Sequence, residues 1–138
     1  MLVSTKGRYG LRSMVDLAIN GANNPLPLRV IAERQGISES YLEQVFATLR
    51  KAGLVKAVRG SFGGYILAKP ASAITVEEVL TTLEGPMIPV NCVEDSASTN
   101  CPRIDSCLTY PLWKDLSDKI DEVLSSTTLQ DLVDRAGS

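Results

Sequence analysis

Three cysteines, Cys92, Cys101 and Cys107, carry the most distinctive chemistry in this chain, which has no other cysteine and no histidine. All three lie in one polar, acidic stretch from Asn91 to Tyr110. Eight residues separate the first two and five separate the second pair. Loop spacings of this size let thiolates converge on one centre, although they do not match the Cys-x2-Cys pairs of zinc ribbons. Three thiolates are one short of the four usual for zinc or an iron–sulfur cluster. With histidine absent, the fourth site falls to an oxygen (Tyr110, Asp105, Glu94 or Asp95), a water, a small thiol or a group from a partner subunit. Such a ligand tends to leave a cluster labile or a position open, which suits a sensor. Free or redox-active thiols are the other reading of the same residues.

The compartment matters to that choice. The segment from Met1 to Arg8 lacks an apolar signal core, so the chain reads as cytoplasmic. That compartment is reducing and disfavours structural disulfides. No run approaches the ~18 apolar residues of a membrane span. Apolar residues make up 44% of the 138, enough to bury a core. The net charge of −2 conceals an asymmetry. Residues 1–69 carry ten Lys/Arg against four Asp/Glu, and residues 70–138 carry four against twelve. A basic half of this kind suits a phosphate-bearing partner, with the acidic half turned away. An enzyme such as a thiol oxidoreductase ranks below a binding protein, because Cys-x-x-Cys, histidine and any evident acid–base pair are absent.

The elements before the cysteines explain the basic half. Apolar residues at Tyr9, Leu11, Met14, Val15, Leu17, Ala18 and Ile19 predict a helix over about 5–20, with Thr5 or Ser4 as its cap. Lys6, Arg8 and Arg12 crowd its start, where the helix dipole disfavours cations and a nearby phosphate backbone would favour them. Leu28, Ile31 and Ala32 predict a short helix stopped at Gly36. Ser38 then caps a third helix, with Glu39 in its first turn and Tyr41, Leu42, Val45, Phe46 and Leu49 on its buried side. A short helix, a turn and a longer helix make a helix-turn-helix, whose second helix offers its first residues to base edges. Here those are Glu39, Ser40, Glu43 and Gln44. Arg50 and Lys51 close that helix, and Gly53 stops it. Residues 54–58 and 65–67 alternate as strands around the turn from Arg59 to Gly64. This β-hairpin has the position of a wing, and Arg59 at its shoulder suits a narrow minor groove.

Thr75 and Glu78 form a capping box for a helix with Val76, Val79, Leu80 and Leu83 on its apolar face, stopped by Gly85 and Pro86. Residues 91–110 read as a loop of about twenty residues, a length that a bound cofactor would justify. From Pro111 to about Ser125, a stripe of Leu112, Trp113, Leu116, Ile120, Val123 and Leu124 predicts a dimerisation helix. A short helix over 127–133 follows.

The stretches Ser4 to Gly10, Ser40 to Gln44, Leu49 to Val55, Val58 to Tyr65, Cys107 to Trp113 and Leu116 to Asp118 together carry a resemblance. The chain resembles the iron–sulfur cluster regulators of the IscR type, relatives of the nitric-oxide sensor NsrR and the cysteine-metabolism regulator CymR. The similarity runs from residue 3 to residue 133. It implies a homodimeric winged-helix transcription factor dimerising through the helix over 111–125. It also implies an iron–sulfur cluster on the three cysteines, usually two-iron two-sulfur in IscR-type members and four-iron four-sulfur in NsrR. By the same resemblance, Ser40, Glu43 and Gln44 face the major groove and Arg59 the minor groove, and Glu43 limits which sites the cluster-free form binds. Two departures stand out. The gap between Cys92 and Cys101 is longer than the family's usual one, and Tyr110 stands where many members have their histidine ligand. CymR-like members lack the three cysteines, which sets that branch apart from this chain.

The expected fold class is therefore mainly α with a small β-hairpin: a winged helix-turn-helix plus a long dimerisation helix. Residues 1–84 form the DNA-binding domain, 85–110 the cluster-binding loop, and 111–138 the dimerisation helix with a short terminal helix. The expected DNA-binding residues are Lys6, Arg8, Ser38, Glu39, Ser40, Tyr41, Glu43, Gln44, Arg50, Lys51, Arg59, Gly60, Ser61 and Gly63. The expected cluster ligands are Cys92, Cys101 and Cys107, with Tyr110 as fourth. The expected partners are an operator duplex, a second copy of the chain and cluster-assembly proteins, with no membrane. A cluster-free thiol- or zinc-dependent redox regulator is the alternative.

Overall fold

The computed structural model describes residues 3–90 and 106–136. Six helices and one hairpin are seen in that range: α1 (Thr5–Asn20), α2 (Leu28–Gln35), α3 (Glu39–Lys51), β1 (Val55–Val58), β2 (Gly64–Leu67), α4 (Val76–Glu84), α5 (Tyr110–Ser126) and α6 (Leu129–Ala136). A single 3-10 turn, Ala71–Ala73, leads from the hairpin toward α4. The mainly α fold with a small antiparallel hairpin is thus the one expected. No helix in the described range is long and apolar enough to cross a membrane.

Local signals set most of the element ends. Gly36 stops α2 in the left-handed conformation, with φ of 67°. Ser38 caps α3 by accepting from the Tyr41 N–H at 3.2 Å. Thr75 and Glu78 make both bonds of the capping box at the start of α4. The start of α1 differs from expectation. Ser4 occupies the capping position, but its side chain caps no helix N–H. Glu84, at the far end of α4, does so instead: its Oε1 accepts from the backbone N–H of Ser4 at 3.0 Å and of Gly7 at 2.8 Å, and from the Ser4 hydroxyl. The carboxylate meets the positive end of the α1 dipole, where a negative charge is favoured.

That contact needs small residues. A Cβ on Gly10 would stand 2.2 Å from Leu83 Cδ1, and one on Gly7 would stand 2.4 Å from Glu84 Oε1. Two glycines in the first half of a helix cost helix propensity; here they let the end of α4 lie directly on α1.

The main core joins α1, α2, α3, the hairpin and α4. Met14, Ile31, Leu42, Phe46, Leu49, Ile74 and Val79 are its fully buried members. Leu129 of α6 belongs to the same core, with no exposed surface. The α5–α6 junction pairs with the strand entering α4: Val76 N–H donates to the Thr127 carbonyl at 2.8 Å, and Leu129 N–H to the Ile74 carbonyl at 2.9 Å. The terminal helix therefore returns to the winged domain, although the sequence groups it with the dimerisation helix.

A second, smaller core joins Val76, Leu80 and Met87 to Val3, Leu11, Ile120, Leu124 and Leu132. It holds only one side of the α5 stripe. Leu112, Leu116 and Val123 lie on the other side, 58%, 41% and 60% exposed. Their spacings of four and seven place them on one helix face. Helix α5 begins at Tyr110, one residue before the expected start.

Candidate nucleic-acid interface and the start of the cysteine helix

The residues expected to meet DNA divide between a recognition helix, a wing and the first turns of α1. Leu42, Val45, Phe46 and Leu49 anchor one face of α3 in the core. The opposite face presents Glu39, Ser40, Glu43 and Gln44, all exposed. Tyr41 is half-buried at the edge of this face. Its ring meets that of Tyr9 edge-on, with centroids 6.3 Å apart, which sets the start of α1 beside the start of α3. Ser38 is exposed, and its hydroxyl serves as the α3 cap.

The wing is tied to the recognition helix and to the segment before α2. Phe46 and Tyr65 pack edge-on at 5.1 Å. Strands β1 and β2 pair from Val55 opposite Leu67 to Val58 opposite Gly64. Leu26 and Tyr65 exchange both backbone hydrogen bonds, at 3.0 and 2.9 Å, as a one-residue third strand. A sequence segment between two prolines reads as a turn, so nothing local signals this bridge. At the tip, Gly63 N–H donates to the Gly60 carbonyl at 3.0 Å, and Gly60 has φ of 117°, a region that favours glycine. Arg59, Gly60 and Ser61 are exposed, and Gly63 is half-buried.

The cations sort into two groups. Arg34, Lys69, Lys114 and Lys119 form ion pairs. Lys6, Arg8, Arg29, Arg50, Lys51, Lys56 and Arg59 form none among the described residues. Arg12 departs from the expectation that it lacks a local role. It donates to Gln35 through Nε at 3.2 Å and to the Gln35 carbonyl through Nη2 at 2.9 Å, and lies 5.4 Å from the Tyr9 ring centre. It braces α1 against the end of α2.

A second brace between the same helices has no signal in the sequence. Asp16 is buried, and its carboxylate accepts from Arg34, from Gln35 at 2.9 Å and from Asn20 at 2.9 Å. Burial pushes its pKa up, but the hydrogen bonds from Arg34, Gln35 and Asn20 and the Arg34 charge outweigh it, leaving the carboxyl below its ordinary value. This cluster fixes the end of α2, and so the turn into α3.

Of the expected cluster ligands, Cys92 and Cys101 lie outside the described residues. Cys107 and Tyr110 are within them, both half-buried, at the start of α5. Cys107 Sγ lies 3.3 Å from the Thr109 hydroxyl. That contact, then the backbone of Thr109 and Tyr110, lowers the thiol pKa below its ordinary value. Hydrogen bonds of this kind stabilise the deprotonated form of a thiol, the form that binds a metal. No group of three metal-binding side chains forms among the described residues.

Comparison with known proteins agrees with this geometry. The family model Rrf2, described as iron-dependent transcriptional regulators, matches residues 3–135. The HTH-type transcriptional regulator IscR of Escherichia coli is 47% identical over 133 residues, covering 96% of this chain and 80% of that protein. The global cysteine regulator CymR of B. subtilis superposes with a TM-score of 0.81 at 43% identity, covering 98% of each chain. IscR of T. potens superposes at 0.80 with 44% identity, over 99% of this chain and 88% of that one. A match of this length, carried by a helix-turn-helix with its wing, places the chain in the Rrf2 family of transcriptional regulators.

Proposed function

We propose that this chain is a homodimeric DNA-binding regulator whose operator affinity or specificity follows the state of an iron–sulfur cluster. The observation that carries the reading is the pairing of two features. One is an exposed recognition face flanked by cations on α1, the α3 end and the wing that form no ion pair among the described residues. The other is Cys107, set just before α5 with its Sγ 3.3 Å from the Thr109 hydroxyl. In this reading Ser40, Glu43 and Gln44 face the major groove, where glutamine pairs with adenine and glutamate accepts from cytosine N4. Arg59 enters the minor groove with Gly60, Ser61 and Gly63 close to the backbone. Lys6, Arg8, Arg50 and Lys51 contact phosphates, while Ser38, Glu39 and Tyr41 shape the helix start that reaches the bases.

Cys92, Cys101 and Cys107 would hold the cluster, with Tyr110 as fourth ligand. A two-iron two-sulfur cluster is favoured, with four-iron four-sulfur as the second form. When bound, the cluster supplies an electron-accepting, ligand-sensitive centre. The protein's own part is to link the cluster ligands to the DNA face. Residues 85–90 lead from α4 into the cysteine loop, and Glu84 at the end of α4 holds the backbone N–H groups of Ser4 and Gly7. In this reading cluster loading acts through the end of α4 on the turn that bears Lys6 and Arg8. The exposed face of Leu112, Leu116 and Val123 packs against a second copy. Cluster-assembly proteins supply the cluster in the cytoplasm.

The test is anaerobic purification with visible absorption and iron and sulfide counts. The reading predicts a coloured protein that loses its absorption in Cys92→Ala. A colourless protein that takes stoichiometric zinc and no iron on reconstitution would instead favour the thiol- or zinc-dependent regulator.

A further inference from the structure

Phe62 is 92% exposed, although it belongs to a well-formed turn. Gly60 and Gly63 close that turn by a 3.0 Å backbone hydrogen bond and leave Ser61 and Phe62 at its tip. No ring contact holds Phe62 within the described fold, whereas Tyr9, Tyr41, Phe46 and Tyr65 all make one. A large apolar ring held out at the end of a hairpin has no role in the core. The same hairpin bears Arg59, exposed and outside any ion pair among the described residues.

We propose that Phe62 is a specificity-determining residue, an apolar tip that lies in the minor groove beside Arg59 and selects A·T over G·C pairs. This rests on the reading of the hairpin as a DNA-binding wing and adds to it the base preference. The minor groove offers only acceptors at A·T pairs, whereas a G·C pair adds the guanine N2 amino group. A phenyl ring over that amino group would bury a donor without a partner, which is unfavourable. The acceptors on the groove floor are common to both kinds of pair, so the amino group is the difference the ring reads. Arg59 supplies charge and Phe62 supplies the sequence filter.

The experiment uses the full chain and duplexes that wild-type protein recovers from a randomised pool. Wild type should enrich A·T pairs at two or three positions flanking the recognition site. Replacing those pairs by G·C should weaken wild type about tenfold, and replacing them by inosine·cytosine, which lacks the N2 amino group, should restore binding. Phe62→Ala should bind A·T, G·C and inosine duplexes with nearly equal affinity while keeping the salt slope of wild type, because no phosphate contact is lost. Arg59→Ala should lower that slope by about one unit. Phe62→Leu should retain part of the preference. A Phe62→Ala protein with unchanged A·T selectivity, or inosine duplexes that bind wild type as weakly as guanine ones, overturns the proposal. If Arg59→Ala leaves both affinity and slope unchanged, the wing reading itself fails, and the proposal with it.

Discussion

Replacing Asp16 by alanine tests the brace that orients the helix-turn-helix. The side chain is 3% exposed and accepts hydrogen bonds from three residues. A hydrogen bond to a charged group contributes ~1.5–3 kcal/mol, and breaking a buried ion pair costs ~3–5 kcal/mol. The larger figure is an upper bound here, because the Arg34 side chain is 41% exposed and regains water once released. The expected loss is about 2–3 kcal/mol, which lowers the urea midpoint by roughly 1–2 M at a typical slope for a chain of this size. Protein concentration must be held fixed, since association stabilises the folded state. Acid supplies a second arm through Asp16→Asn. The folded-state pKa of Asp16 lies below its ordinary 3.8, so its contribution is complete above the unfolded value and is lost as pH falls through the folded one. The stability gap between wild type and Asp16→Asn should be constant near neutrality and shrink below about pH 4. A midpoint unchanged by Asp16→Ala, or a gap that widens in acid, would refute the reasoning.

Two further substitutions separate local from distant contributions. Glu84→Ala should cost about 1–2 kcal/mol, the range for losing a helix cap, and Ser4→Ala less than half of that; a thermal scan showing the reverse order would return the capping role to Ser4. Leu129→Ala should cost ~2–5 kcal/mol in chemical unfolding, whereas Leu112→Ala with Leu116→Ala should leave the fold intact and raise the dimer dissociation constant in sedimentation. If Leu129→Ala proves neutral, α6 is not part of the winged core.

The pattern of what the sequence disclosed follows from the range of each interaction. Ser38, Gly36 and the Thr75–Glu78 box act within three or four residues of where they stand, so type and spacing reveal them. The recognition-helix face was equally legible, since Leu42, Val45, Phe46 and Leu49 repeat at helical spacing. The long-range pieces were not. Glu84 caps α1 from 77 residues away, and a lone acid at a helix end has no signature of such a role. Asp16 looked like one more polar residue on a helix, yet it lies buried against Arg34, 18 positions on. Gly7 and Gly10 weaken α1 when read alone and make sense only once Leu83 and Glu84 lie against them. Leu129 lies in a helix too short to show which core it joins. Phe62, between Ser61 and Gly63, passed as part of a glycine-rich turn until its exposure was known.

The central claim is that the cluster at Cys92, Cys101 and Cys107 controls DNA binding. Its most direct test is the operator affinity of one anaerobic preparation, measured by fluorescence anisotropy with the cluster loaded and again after its removal, iron and sulfide being counted in both. Coupling of ordinary size predicts that the two dissociation constants differ by roughly 5- to 150-fold for at least one duplex. The difference should vanish in Cys107→Ala. Equal affinities of the loaded and cluster-free forms across all recovered duplexes would contradict the account.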